Sequence, residues 1–252
     1  ITFLFSNLLG LAQGKVQRWN RQLLFLKPGW LVLCDLVTAP EGFAKTIYFH
    51  SPDEIAVSSE GAAGAGAFRA FNLLPRQAKL NVAGGPGRTF AYGGNNWSGV
   101  PAYNAQVDTA WRLEVEAPRQ ETVVFLTAIY LPAPGETAAP EAKLLDGGPQ
   151  RVSLSLDGKY TLSFTPGDPE GYSLSGPGVT YSVSGVVARE GLAQEGETVR
   201  LSGPATAQAV TDSHGEFHFQ GLLPGEYVLT RAATGQTRRI AVSERSVGGV
   251  RF

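Results

Sequence analysis

The sequence predicts an all-β protein, a large antiparallel β-sandwich followed by a small Greek-key β-sandwich. Short runs of β-branched, aromatic and leucine residues recur along the 252 residues and are closed by Pro, Gly or Asp. Turn formers are abundant, with 31 Gly and 16 Pro, while the charged fraction of 17% lies below the usual ~25%. No segment holds apolar residues at i, i+3, i+4 and i+7 long enough for a helix, and Ile1 to Leu11 alone is ambiguous.

Taken in order, Leu23 to Leu26 ends at the turn Lys27-Pro28-Gly29, and Trp30 to Val37 resumes as the next strand. Thr38 to Gly42 is a second turn, after which Lys45 to His50 alternates polar and apolar residues, so these three strands read as a meander. Further runs cover Ala67–Phe71, Ala78–Val82, Ala110–Glu116, Thr122–Leu131, Arg151–Leu156 and Tyr160–Phe164. Ser58 to Gly66 and Gly84 to Asn104 read as long loops, and loops of that length are usually functional or disordered. Periodicity breaks between Thr165 and Thr180, which sets the expected organisation: a first domain over 1–172, a linker over 173–180 and a second domain over 181–252. In the second, shorter runs cover Tyr181–Val187, Thr198–Ser202, Gln208–Thr211, Glu216–Gln220, Glu226–Arg231 and Arg239–Val242.

Composition narrows the function classes. The apolar fraction of 43% supports a core, and a net charge of -1 with interspersed Lys and Arg gives no field to attract nucleic acid. The apolar stretches are too short to span a bilayer as helices. The single cysteine, Cys34, lies in an apolar run as a buried hydrophobe and leaves no partner for an internal disulfide. The chain opens without Met directly in strand-like sequence, from which we expect a fragment or processed product with something upstream.

The second domain carries a dense signature. Gly185-Val186-Val187, Val199-Arg200-Leu201, Thr211-Asp212 with Gly215 and Phe217, and Leu223-Pro224-Gly225 with Tyr227 follow one another. Asp212 and Gly215 close one turn, Pro224-Gly225 is expected to form a type II turn with positive φ at Gly, and Phe217, Phe219, Tyr227 and Leu229 face a core. This resembles the carboxypeptidase-regulatory-like (transthyretin-like, CnaB-like) small sandwich. The resemblance implies a spacer, adhesion unit or stabiliser on secreted and cell-surface proteins, and it fixes no activity.

The first domain carries Arg21 through Lys27-Pro28-Gly29-Trp30 to Asp35, then Ile47-Tyr48-Phe49-His50, Phe71 to Pro75, Trp111-Arg112-Leu113, and Phe125 to Pro132. In order and spacing these resemble the C-terminal β-sandwich of the heparinase II/III family of polysaccharide lyases, over roughly Val16 to Phe164. The resemblance implies a parent enzyme that cuts acidic glycans by β-elimination. A base takes the C5 proton of a uronic acid, the carboxylate is neutralised and an acid protonates the leaving oxygen. Most of that machinery belongs to an upstream α-helical toroid and to a histidine that opens the sandwich. The three histidines here are His50, His214 and His218, so no catalytic residue is assigned. The implied function is a non-catalytic accessory region that packs on the toroid and helps wall the glycan cleft, in a secreted, periplasmic or cell-surface bacterial protein. The implied partners are that toroid and an acidic polysaccharide, with no nucleic acid. The alternative is a non-enzymatic glycan-binding or cell-surface spacer protein.

Two sets of site residues follow. Family members hold a structural metal through His and Asp, and Asp35 with His50 match that order, which marks them as candidate ligands of a structural Zn. A simple hairpin about Pro40-Glu41 would leave them ~13 Å apart at ~3.3 Å per residue, so a bulge or non-adjacent strands would be needed. Tyr92, Trp97 and Tyr103 are candidate sugar-stacking rings, with Trp111 beside them, and Arg112 is a candidate fork for a uronate carboxylate, as are Arg69, Arg76 and Arg88. His214-Gly215-Glu216-Phe217-His218 lacks the His-Glu-x-x-His spacing of a metalloprotease helix, and on a strand it puts His214, Glu216 and His218 on one solvent face.

Overall fold

The computed structural model describes residues 2–7, 15–58, 62–65, 68–85, 88, 91–92, 95–96, 111–136 and 140–252. They form an all-β protein that divides into two compact units, Ile1–Gly158 with Ser163–Gly171 and Lys159–Leu162 with Tyr172–Phe252. The division runs through one strand, β15 (Tyr160–Phe164).

In the first unit a seven-stranded antiparallel sheet has the order β1 (Thr2–Asn7), β2 (Arg18–Leu26), β3 (Trp30–Thr38), β12 (Thr122–Tyr130), β7 (Phe68–Leu74), β6 (Ala62–Ala65) and β5 (Ala56–Val57). A three-stranded antiparallel sheet has the order β4 (Thr46–Ser51), β11 (Trp111–Glu116), β8 (Lys79–Gly84). β9 (Ala91–Tyr92) pairs with β10 (Asn95–Asn96), and β13 (Ala142–Gly147) pairs with β14 (Val152–Leu156) across a bulge.

β3 is buried almost without a break from Trp30 to Val37. A strand covered on one face alternates, so a continuous run of this kind means cover on both. On one face Val37, Val123, Phe125 and Ala70 pack with Ile47, Leu113 and Val115 of the three-stranded sheet. On the other, Leu24, Trp30, Val32, Leu126 and Ala128 are buried. There the Trp30 indole donates to Asp157 (2.9 Å), and the Gln22 amide donates to the carbonyls of Asp168 (2.8 Å) and Gly171 (3.2 Å). The segment expected to break periodicity is thereby fastened to β2.

Several local expectations change. The β2–β3 hairpin forms about Lys27-Pro28-Gly29, but the meander ends there, because β4 leaves for the other sheet and pairs with β11. Its apolar residues Ile47 and Phe49 are what cover Val37 and Phe125. The stretch read as a loop from Ser58 to Gly66 contains β6, whose Ala and Gly residues carry no side-chain signal yet pair on both sides with β5 and β7. Residues 2–7, ambiguous in sequence, pair with β2.

The second unit places β22 (Glu216–Leu222), β17 (Tyr181–Val186) and β25 (Val247–Arg251) in one sheet. β21 (Ala207–Val210), β20 (Thr198–Ser202), β23 (Gly225–Arg231) and β24 (Thr237–Val242) form another, with a ribbon of β18 (Ala188–Arg189) and β19 (Leu192–Ala193). Pairing is antiparallel except between β17 and β25, which run parallel. Val183, Phe217 and Phe219 of one sheet and Val199, Leu201, Tyr227 and Leu229 of the other are buried, as period-two alternation requires. The residues read as a linker over 173–180 hold most of β16 (Tyr172–Ser175). Leu174 is buried there, with its N–H bonded to the Glu244 carbonyl (2.8 Å) and its carbonyl accepting the Tyr181 hydroxyl (2.6 Å).

Asp212 builds its turn as expected, accepting the N–H groups of His214 and Glu216 at 2.9 Å each, with Gly215 at φ 73°. Gly225 has the positive φ expected of it, 153°, but as the first residue of β23 rather than in a type II turn, and a Cβ there would collide with Pro204. Among the described residues no helix is long and apolar enough to cross a membrane.

Candidate functional site

The outer face of the three-stranded sheet gathers a set of interacting polar and aromatic side chains. Strand alternation puts Ile47, Phe49, Leu113 and Val115 inward, so Tyr48, His50, Arg112 and Glu114 share the opposite face. Register then fixes neighbours: Arg112 lies opposite His50 and Ala83, and Glu114 lies opposite Tyr48 and Asn81. The next row holds Thr46, Glu116 and Lys79.

Within this grid the Arg112 guanidinium sits 5.3 Å from the centroid of the Tyr48 ring. Its Nε (3.0 Å) and Nη2 (2.6 Å) both donate to Glu114 Oε1, while Glu114 Oε2 accepts from Asn81 (2.9 Å). The Arg112 side chain is 12% exposed and Tyr48 beside it 41% exposed, so the guanidinium is largely buried next to a half-exposed ring. Partial burial pushes the Glu114 carboxyl upward, but the hydrogen bonds from Asn81 and Arg112 and the charge of Arg112 outweigh it and hold the group below the usual carboxylate range. Burial and then the Arg112 charge lower the His50 pKa, so its imidazole is neutral at pH 7.

Asp35 belongs to a different arrangement. It is fully buried on β3 and accepts Arg21 Nε (2.8 Å) and Nη2 (3.2 Å) on its two oxygens, with the Trp19 indole N–H on the first (3.2 Å). His50 lies on β4 in the other sheet, so the two metal candidates are on non-adjacent strands. Among the described residues no three His, Cys, Asp or Glu side chains converge.

Of the glycan candidates, Arg112 lies in the cluster above. Tyr92 lies on the short ribbon of β9 with β10, where its backbone pairs with Asn95. Trp97 and Tyr103 fall outside the described residues. Trp111 packs on the inner cluster, and a Cβ on Gly85 would lie 3.2 Å from its ring, so its role is packing. In the second unit Glu216 and His218 are exposed on β22, 3.8 Å apart, opposite buried Phe217 and Phe219.

Tyr48, Asn81 and Glu114 were not singled out in sequence. The alternations Tyr48-x-His50 and Arg112-x-Glu114 are visible there, but pairing between strands 60 residues apart in the chain is not encoded in either run.

No protein-family model and no curated protein matches the chain. Among solved structures, heparinase III matches at 16% identity and a TM-score of 0.42 over 65% of this chain, which spans 25% of the length of that one. The group B streptococcus pilus 2b backbone protein matches at 9% identity and a TM-score of 0.25, over 88% of this chain and 91% of that one. BcpA, the major pilin subunit of Bacillus cereus, matches at 8% identity and a TM-score of 0.27, over 100% of this chain and 69% of that one. At these identities and TM-scores no residue role passes from any of them to this chain.

Proposed function

We propose that the chain is the non-catalytic C-terminal β region of a heparinase II/III-like lyase acting on acidic, uronate-containing polysaccharide. It packs on an α-helical toroid of the parent and helps to wall the glycan cleft in a secreted, periplasmic or cell-surface bacterial protein. What supports this reading is that the sequence pieces carrying the resemblance are direct neighbours in register. Arg21, which opens one piece, lies opposite Asp35, which closes it, and Arg112 of the Trp-Arg-Leu piece lies opposite His50 at the end of another. Tyr92, Trp97 and Tyr103 are the glycan contacts of this reading. The test incubates the chain alone with heparan sulfate and with alginate while following unsaturated uronate by ultraviolet absorbance. No product is expected, and steady turnover by the chain alone defeats the assignment.

For the second unit we propose a spacer or stabilising role. Its sheets bury Phe217, Tyr227 and Leu229 inward, and Glu216 and His218 stand exposed to solvent, as on an ordinary surface.

A further inference from the structure

The outer grid of β4, β11 and β8 has a charge balance that is informative about its ligand. Among the described residues of this grid two cations, Arg112 and Lys79, stand among two anions, Glu114 and Glu116, and His50 is neutral, so these residues carry no net charge to hold a polyanion. A carboxylate approaching Arg112 meets Glu114 already seated on the same guanidinium. What the face does present is a half-exposed aromatic ring, Tyr48, beside planar polar groups locked in a chain from Arg112 through Glu114 to Asn81. His50 is exposed near the end of β4, and its neutral imidazole carries one donor and one acceptor nitrogen.

We infer that this face is a saccharide-binding site that recognises neutral sugar hydroxyls through His50, Asn81, Glu114 and Arg112, with Tyr48 as the stacking ring. Sugars suit it for three reasons. Each hydroxyl both donates and accepts, so adjacent donors and acceptors on the protein can be satisfied together where an anion would use donors alone. The C–H face of a pyranose ring is apolar and covers an aromatic ring while the edge hydroxyls remain hydrogen-bonded. The Arg112–Glu114–Asn81 chain is ordered before any ligand arrives, so little side-chain freedom is lost on binding. Three strands span about 10 Å, and Ala83, opposite Arg112, adds only a methyl group to the row. The inference stands apart from the lyase reading, since it assigns a ligand class that an enzyme region or a surface spacer could equally carry.

The experiment titrates the full chain with neutral hexasaccharides of β-1,4-linked glucose, xylose and mannose, and with a hexamer of mannuronate, by calorimetry at low and high salt. At least one neutral hexasaccharide is expected to bind, with a Kd that changes less than about twofold between roughly 0.05 and 0.5 M salt. Tyr48→Ala and Asn81→Ala, both at exposed positions, are each expected to weaken that binding by about five- to tenfold, with thermal midpoints unchanged as evidence of intact folding. Absence of binding by every neutral hexasaccharide at millimolar concentration overturns the inference. So does binding confined to the mannuronate and abolished by salt, or neutral binding that both variants retain in full. A lyase assay plays no part in this readout, so failure here and failure of the lyase reading are distinguishable.

Discussion

Arg21 and Asp35 face each other across β2 and β3, and the Asp35 carboxylate has no access to water. Burying an ion of this kind is costly unless a counter-charge and hydrogen bonds replace the lost hydration, and Arg21 with Trp19 supplies both. Arg21→Ala leaves the buried carboxylate unpaired and is expected to lower stability by about 3 kcal/mol, read as a shift of the urea midpoint. A loss of only a few tenths would mean that water or another group takes over. His50 answers a second question at this scale, because burial and the Arg112 charge both disfavour its protonated form. Its imidazole is expected to titrate below the ordinary ~6.5 by NMR, and Arg112→Ala is expected to move the value upward as the repelling charge goes. A downward move would place Arg112 away from the ring.

Among elements, β17 shows how tightly the small sandwich is closed. A Cβ on Gly185 would strike the Val250 carbonyl and lie 2.6 Å from the Phe217 ring, so neither the parallel β25 nor the core has room for it. Gly185→Ala is expected to cost about 1–3 kcal/mol, as overpacking does, measured by thermal unfolding; a neutral result would mean that β25 yields. The turn held by Asp212 titrates. Its carboxyl lies below the usual range because it accepts the Glu216 N–H first and the His214 N–H as well, so the folded state binds its proton less readily than the unfolded chain. Its stabilisation is therefore complete above about pH 4 and disappears as pH falls through the lowered folded-state value. In Asp212→Ala, denaturation midpoints measured from pH 7 to pH 2 are expected to start lower and to fall less with acid; an unchanged acid slope would rule out this turn as a source of it.

The same elements show what was legible in the sequence. Strands rich in Val, Ile, Leu and aromatics, such as β3 and β12, lie within about a residue of where their runs place them. β6, with Ala-Ala-Gly-Ala, and β25, with two glycines, were not legible, because backbone pairing to neighbours supplies what their side chains do not. The departure of β4 to a second sheet was also hidden, since Lys45 to His50 alternates alike whichever strand it joins. That departure created the candidate site, so Arg112 and His50 stood out singly while the cluster they form with Tyr48, Asn81 and Glu114 did not.

For the whole molecule, the long buried run of β3 makes the seven-stranded sheet the central layer of the first unit, covered on one face by the three-stranded sheet. The outer grid lies on that three-stranded sheet, where pairing of β11 with β4 and β8 fixes its register. The proposed role then lies in presenting a glycan-facing wall, with the bond-breaking groups on another domain. The deciding measurement is the rate of unsaturated uronate formation from an acidic polysaccharide in three parallel reactions: this chain alone, the proposed α-helical domain of the parent on its own, and the two mixed. Turnover that rises well above either single reaction on mixing is the expected result. Turnover by this chain alone, or a helical domain whose rate the chain leaves unchanged, would contradict it.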